Sequence, residues 1–323
     1  MTNGINNSEI VAAKQSEWST PSGTIIDHVS RIIGHTAVIE KRIQQGAWNE
    51  VYEIGVGENR YILRISRDAT LIAKEKRAKD LAKTAGVPVP KTIDISPLTV
   101  GSQSLTFELT EFIVGPALHE VRDPIVRKVL LTHAGLVLSR LHTIYCDSYG
   151  QFPSVESGPK ILSIFRKGQF SFINQSLTQI SEILSIPPSE IEQMAKLSES
   201  LNQQHDEHQP VLVHMDFLPR HLICSLEKRE VIGVLDFGNC RSASPFDDFA
   251  NWIDGEFALS DLLSGYSNYD LVNSSDFAVR LALARLQGNI MQLPFALKFN
   301  LKDKIPLIWG RINQQIEILK KGQ

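Results

Sequence analysis

Val211-Leu-Val-His214-Met-Asp216-Phe-Leu-Pro219-Arg220-His221-Leu-Ile223 and, after a short polar turn, Val231-Ile-Gly-Val-Leu-Asp236-Phe-Gly238 are two apolar stretches that each deliver a carboxylate to a strand end. Residues 222–226 and 231–235 flank the charged turn Glu227-Lys228-Arg229-Glu230, which predicts a hairpin. The hairpin brings Asp216 and Asp236 together. Two carboxylates meeting beside a buried sheet cost free energy unless something neutralises them. A divalent cation carrying phosphates does so, and phosphoryl transfer needs that geometry, with one Asp to orient the attacking hydroxyl and a second to hold the metal.

The pair His214-x-Asp216 and Asp236-Phe237-Gly238 resembles the catalytic and metal-binding loops of the kinase fold. In detail it is similar to the aminoglycoside phosphotransferase family, including its macrolide phosphotransferase branch. Members of that family typically read His-Gly-Asp, with Pro three residues after the Asp and Asn five residues after it. Here the places hold His214, Met215, Asp216, Pro219 and, instead of the Asn, His221. A His at that place is known in the macrolide branch, so the departure points there. Ser244-Pro-Phe-Asp-Asp248-Phe-Ala250 resembles the family's Asp-Pro-x-x-Asp-Leu-Ala segment, with Asp248 on the motif Asp. The resemblance covers about residues 40 to 255 and implies an α+β, protein-kinase-like two-lobe fold. Its expected parts are a loose tail over 1–20, a β-rich, nucleotide-covering N-lobe over 21–112, and a mainly helical C-lobe over 113–323 with the catalytic loops and acceptor-binding helices.

The first half of the chain supplies a nucleotide side. Residues 43–54 read as strand, turn, strand, and resemble the family's nucleotide-covering hairpin, which puts Gly46 and Asn49 at the phosphates. A single Gly between strands is by itself only a turn signal. The next strand, 61–65, alternates towards one basic residue, Arg64. Periodicity alone is equally satisfied by an outward, solvated Arg; the resemblance makes Arg64 the phosphate-gripping base, whose planar fork suits phosphate oxygens. A helix over 73–83 follows, stopped by Gly86, Pro88 and Pro90. Its charges read as a solvated face except Glu75, which the resemblance pairs with Arg64. Residues 86–90 fix the chain for the strand at 106–109. Beyond it, Glu111 and Ile113 lie in the connection where a nucleobase would bond to backbone groups.

The second half reads as helical, over 126–141, 161–186, 188–201 and the run 277–319, and a short helix over 25–33 leads the chain. The helices at 161–186 and 188–201 are implied to wall the acceptor site. His142 reads as a packing or capping residue, His214 as the support of the catalytic loop and Asp248 as its brace. In the implied scheme Asp216 orients the acceptor hydroxyl, Asp236 holds Mg2+ with His221, and Trp252, Asp254 and Glu256 face the acceptor. Imidazole suits softer metals than magnesium, so Mn2+ is an alternative, and His221 could instead hydrogen-bond Asp216 or a phosphate. Arg220 has two open readings, a surface Arg or a group beside the transferred phosphate. Met215 puts bulk where the family has Gly, with no functional reason legible.

With 323 residues the chain can hold a core in each lobe. A net charge of −3 leaves no electrostatic footprint for nucleic acid. Three cysteines without metal spacing suit a reducing cytosol. No apolar run is long enough for a membrane span, and the polar start Met1-Thr-Asn-Gly-Ile-Asn-Asn7 is unlike a signal peptide, so a cytoplasmic protein is expected. The expected reaction moves the γ-phosphoryl of ATP or GTP to a hydroxyl of a small molecule. An antibiotic of macrolide type is favoured by His221; an aminoglycoside would want a carboxylate cluster, and Asp254, Glu256 and Asp261 offer a thin one. A metabolite or self-made natural product is the alternative acceptor. A nucleotide-binding pseudokinase is a third reading, opposed by the presence of both Asp216 and Asp236.

Overall fold

The computed structural model describes residues 19–43, 49–152, 158–174, 177–206, 209–252 and 257–321. Helix α1 (Ser22–Ile33) leads into strands β1 (Val38–Ile43), β2 (Glu50–Val56) and β3 (Asn59–Ser66), helix α2 (Ala69–Thr84), and the hairpin β4 (Thr92–Val100) and β5 (Gln103–Glu111). The five strands form one antiparallel sheet in the order β1-β2-β3-β5-β4. Strand period decides its two faces. Leu63, Ile65, Phe107 and Leu109 point one way and close a core with Ile25 and Val29 of α1. Arg64 and Glu108, between them in sequence, therefore share the opposite face.

Several expectations are corrected at this level. Strand β4 escaped the sequence reading because Pro97 interrupts its alternation; as the outermost strand it tolerates a residue that cannot donate to a ladder. Helix α2 begins at Ala69, four residues before the helix read from sequence, because the Asp68 carboxylate caps it by accepting from the Thr70 and Leu71 amides. The tail expected to be loose through residue 20 is already fixed at Thr20, whose N–H and hydroxyl both donate to the buried Glu50 carboxylate, at 3.0 and 2.8 Å.

In the C-lobe α3 (Pro124–Leu141) is the central helix, followed by the short strand β6 (Gly150–Gln151). Within the segment 161–186 the described residues are helical over α4 (Leu162–Asn174) and α5 (Leu177–Leu184), and α6 (Pro188–Gln204) follows. Then come β7 (Val211–Val213), the hairpin β8 (Leu222–Ser225) and β9 (Glu230–Val234), β10 (Arg241–Ala243), and the short helices α7 (Pro245–Phe249), α8 (Leu259–Leu263) and α9 (Tyr269–Val272). The run 277–319 breaks into α10 (Phe277–Lys298) and α11 (Ile305–Lys321), turning at Asn300, whose φ is +56°.

The two lobes meet in a packed boundary. Ala78 and Ala82 of α2, with Val87 just beyond it, are buried in the C-lobe core with Leu138, Leu222 and Val234. The Val234 amide donates to the Pro88 carbonyl at 2.8 Å. On the other side of the sheet the connection after Glu111 lies directly on the β8–β9 hairpin: Cys224 N–H donates to Pro116 O at 2.9 Å, and a Cβ on Gly115 would sit 2.2 Å from the Cys224 carbonyl oxygen. Only glycine allows so close a crossing, so the connection and the carboxylate hairpin are fixed to each other.

Candidate active site

The loop that carries Asp216, the candidate catalytic loop, hangs between β7 and β8, and one buried carboxylate orders it. Asp248, fully buried on α7, accepts the His214 N–H at 2.8 Å and the His142 Nε2–H at 3.0 Å on one oxygen. Its other oxygen accepts the Met215 N–H at 2.6 Å. His142 is held in turn by the Tyr266 hydroxyl at 2.7 Å. His142 thus braces the brace, a role that follows from α3 and α8–α9 meeting behind the loop. Met215 carries φ +67°, the left-handed region, and its carbonyl accepts from Asn251 Nδ2 at 2.7 Å. With its amide and carbonyl both held, the backbone here must turn, which is why a Gly would serve; the side chain is kept by packing on Val211, Val213 and Ala243.

His214 is fully enclosed, and burial pushes its imidazole pKa below the ordinary value. Its tautomer follows from its partners: Nε2–H donates to the Leu235 carbonyl at 3.0 Å, and Nδ1 accepts the Asp216 N–H at 3.2 Å. One neutral ring thereby ties the start of the catalytic loop to the residue before Asp236. The Phe237 ring wedges beneath it, with centroids 4.6 Å apart.

Asp216, His221 and Asp236 converge in front of this support. Each offers one ligand atom, and the three atoms lie within 4.8 Å of one another. His221 Nδ1–H donates to the Asp216 carbonyl at 2.9 Å, and its Nε2 accepts from Arg220 Nε at 3.2 Å while facing Asp236 at 3.9 Å. Arg220, with a side chain 47% exposed, has Nη2 2.5 Å from the Asp216 carboxylate. Two carboxylates with one imidazole suit a divalent cation. The oxygens fit magnesium, while the nitrogen adds affinity for manganese once Arg220 releases its lone pair.

The N-lobe side of the site is organised by α2. Arg64 Nη2 meets the Glu75 carboxylate at 2.6 Å, as expected, and also that of Glu108 at 2.7 Å. Lys79, one turn after Glu75, bonds the second Glu108 oxygen. Glu108 and Lys79 were not found from the sequence. Their signal was a charged residue inside an apolar strand at the register of Arg64, but that register is set by strand pairing. Burial lifts the Glu75 pKa above the usual carboxylate value against the pull of Arg64. Glu108 is equally buried, yet Arg64 and Lys79 together outweigh that burial and hold its pKa below the ordinary value. The same helix grips the metal loop: Lys74 Nζ donates to Gly238 O at 3.1 Å, and a Cβ on Gly238 would lie 3.2 Å from both Asp236 Oδ1 and Glu75 Oε1. Buried Arg64 Nε and Glu75 Oε1 have no protein partner, leaving a donor and an acceptor of this cluster unused.

The remaining expected residues divide. Asn49 is half-buried at the start of β2 with Oδ1 unpartnered, and Gly46 lies outside the described residues. The Glu111 N–H is taken by Lys91 O at 3.0 Å, while Ile113 lies past the sheet on the connection to the C-lobe. Trp252 does not present an exposed face as expected: at 2% exposure its ring is part of the C-lobe core, with Nε1 buried and without a partner among the described residues. Asp254 and Glu256 lie outside the described residues, and Asp261, the third member of the thin acidic set, is 3.7 Å from Lys128 on the α3–α8 face.

Comparison with known proteins gives a concordant picture. The model of the phosphotransferase enzyme family matches residues 40–274. Among curated proteins, acyl-CoA dehydrogenase family member 10 of Mus musculus is 28% identical over 223 residues, 65% of this chain. The chain spans about a fifth of that relative's length, 20%. Among solved structures, a thermostable mutant of aminoglycoside phosphotransferase APH(4)-Ia in its apo form is similar, with TM-score 0.70, 17% identity, and 92% of this chain and 99% of that one covered. A ternary complex of a thermostable mutant of the same enzyme with ADP and hygromycin B gives TM-score 0.72 at 16% identity, covering 91% and 98%. ADP-bound aminoglycoside phosphotransferase APH(2'')-Ib gives TM-score 0.58 at 17% identity, covering 93% and 99%. At these identities the likeness establishes the kinase-like α+β fold.

Proposed function

The chain belongs to the phosphotransferase enzyme family, and from that premise we propose that it transfers the γ-phosphoryl of ATP or GTP to a hydroxyl of a small molecule. The observation that carries the reading is the convergence of Asp216, His221 and Asp236 within 4.8 Å, close enough to the Arg64 and Glu75 pair for the Asp236 charge to act on both. The solved relatives that bind ADP support a nucleotide co-substrate.

Each residue then has a task. Arg64, positioned by Glu75 through Nη2, offers the N–H groups of Nη1 to the nucleotide phosphates. Glu111 and Ile113 present backbone groups to the base, and Gly46 and Asn49 cover the phosphates. Asp236, with Asp216 and His221 beside it, would hold Mg2+ or Mn2+; bound there, the ion neutralises phosphate charge and aligns the triphosphate. Asp216 accepts the hydrogen bond of the acceptor hydroxyl and points its oxygen at the phosphorus. Arg220, 47% exposed beside Asp216, moves from that carboxylate to the transferring phosphoryl. Catalysis is positioning and charge neutralisation, with no covalent intermediate on the protein.

For the acceptor, an antibiotic of macrolide type is the reading His221 favours. The Arg220 cation at the mouth opposes a polycationic aminoglycoside, and the pairing of Asp261 with Lys128 removes one of the carboxylates that would attract one. A metabolite or self-made natural product is the second reading of the acceptor. A cytoplasmic setting is supported by three free cysteines, two of them buried with thiol pKa values pushed up to about 12 by burial. No helix among the described residues is long and apolar enough to cross a membrane.

The test is turnover with ATP and GTP across a panel of hydroxylated antibiotics and metabolites, in wild type, Asp216→Ala and Asp236→Ala. Each variant should lose at least ~100-fold in turnover, the size of a lost positioning or charge-stabilising group. Asp216→Ala should keep nucleotide affinity, and Asp236→Ala should lose its metal-dependent part. Turnover within tenfold of wild type in either variant, or a wild-type melting temperature unmoved by both nucleotides with magnesium, refutes the reading.

A further inference from the structure

The ion cluster behind Arg64 contains more than the pair that phosphoryl transfer calls for. Arg64 and Glu108 are cross-strand partners on β3 and β5, and Glu75 and Lys79 are one turn apart on α2, so four charges form a chain, Glu75–Arg64–Glu108–Lys79. Arg64 Nη2 serves two carboxylates at once, at 2.6 and 2.7 Å, and Lys79 ends the chain on Glu108. The side chains of Arg64, Glu75, Glu108 and Lys79 are 14%, 2%, 3% and 10% exposed.

An Arg with two carboxylates on one nitrogen is fixed in direction, since Nη2 cannot turn to a phosphate without abandoning both. What remains for a ligand is Nη1, whose two N–H groups neither carboxylate takes, with the buried Nε unpartnered behind it. The cost of that fixation is charge: Arg64 with Glu75 and Glu108 sums to −1, which would repel a triphosphate. Lys79 returns the sum to zero. It also borders a surface pocket with Lys76, Lys83 and Lys91, so its ammonium has a route to water when Glu108 does not hold it.

We infer that Glu108 and Lys79 are a positioning pair for the nucleotide site, Glu108 aiming Arg64 from the side opposite Glu75 and Lys79 cancelling the surplus negative charge that this aiming introduces. The inference rests on the reading that Arg64 meets the nucleotide phosphates.

The experiment measures dissociation constants for ADP and for adenosine by calorimetry on the full chain, with GDP and guanosine alongside. Controls are wild type and Arg64→Ala; the variants are Lys79→Met, Glu108→Gln, Glu108→Leu and the Lys79→Met, Glu108→Gln double variant. Removing one charge near the phosphates should weaken ADP about fivefold in Lys79→Met, a screened Coulomb effect across the cleft. Glu108→Gln keeps an amide oxygen for Arg64 Nη2, so the aim survives while a negative charge is lost, and it should bind ADP at least as tightly as wild type. Glu108→Leu, which removes the aim, should bind ADP more weakly than Glu108→Gln. The double variant should return to within about twofold of wild type, because its cluster is neutral again. Adenosine has no phosphate and should be unaffected throughout. A merely structural role would move both ligands together. Should Lys79→Met fail to fold, the step from Glu108→Gln to the double variant removes the same charge without stranding a carboxylate, and it must also weaken ADP. Unchanged ADP affinity in Lys79→Met, parallel loss of adenosine, Glu108→Leu as tight as Glu108→Gln, or a double variant as weak as Lys79→Met overturns the inference while Arg64→Ala still weakens ADP. An Arg64→Ala variant with full ADP affinity overturns the reading beneath it.

Discussion

Replacing Asp248 by Asn should separate the order of the catalytic loop from nucleotide binding. The carboxylate is fully buried and receives three donors, His214 N–H and His142 Nε2–H on Oδ2 and Met215 N–H on Oδ1. An Asn of the same shape keeps the first two only with its carbonyl at the Oδ2 place. Its NH2 then faces the Met215 N–H, and that buried amide loses its acceptor at about 1–3 kcal/mol. The two bonds kept fall from charge-assisted to neutral strength, about 1 kcal/mol each. Relief from burying a charge offsets part of this, leaving a net loss of about 3 kcal/mol in the unfolding free energy. Because Met215 sits in a left-handed conformation, its freed amide lets the loop relax, and Asp216 moves with it. Turnover should therefore fall by ~100-fold, as a misplacement of about 1 Å at a reacting group does. Arg64 and Asp236 are untouched, so nucleotide affinity should stay within about twofold. Urea unfolding, steady-state turnover and a nucleotide titration on the same preparation check all three. Turnover within threefold of wild type together with an unfolding free energy within 1 kcal/mol of it would falsify the account of Asp248 as the organiser of the loop.

Two further outcomes are expected. Met215→Gly should leave the unfolding free energy within about 1 kcal/mol of wild type, since relief of about 1–2 kcal/mol at φ +67° is matched by glycine's extra chain entropy and the lost half-burial of the thioether; Met215→Val, β-branched at a positive φ, should cost about 2 kcal/mol or more, and a glycine variant worse than the valine one would contradict the strain argument. Burial lowers the pKa of His28, His133 and His214 below the ordinary 6.5, so below that pH the unfolded chain takes up protons that the folded one refuses, and stability, full above pH 6.5, falls as pH drops, with His28 contributing one share of the decline. Urea midpoints measured from pH 8 to pH 5 should show this decline, and His28→Gln should flatten part of it; an unchanged slope in the variant would assign the acid sensitivity elsewhere.

The loops that carry the chemistry were legible in the sequence because they are local. The apolar stretch 222–226 that follows the Asp216 loop, the charged turn 227–230 and the apolar stretch 231–235 that ends at Asp236 specify a hairpin by local pattern, and the structure sets the two carboxylates near one another. The pairing of Arg64 with Glu75 was legible through resemblance, since strand and helix are consecutive and the helix can only fold back across the sheet. Trp252 misled because an aromatic residue close after Asp248 satisfies a binding wall and a core equally well, and α3, α8 and α10 decided for the core. Met215 had no reading until its backbone turn and its three-residue packing set were placed, and Asp248 was a brace in name until its three donors could be counted. The extension of the Arg64 and Glu75 pair by Glu108 and Lys79 belongs to tertiary structure. It comes from strand register and helix docking across 44 residues of chain, and no spacing rule along one strand or one helix records which charges meet when two elements are pressed together and water is excluded.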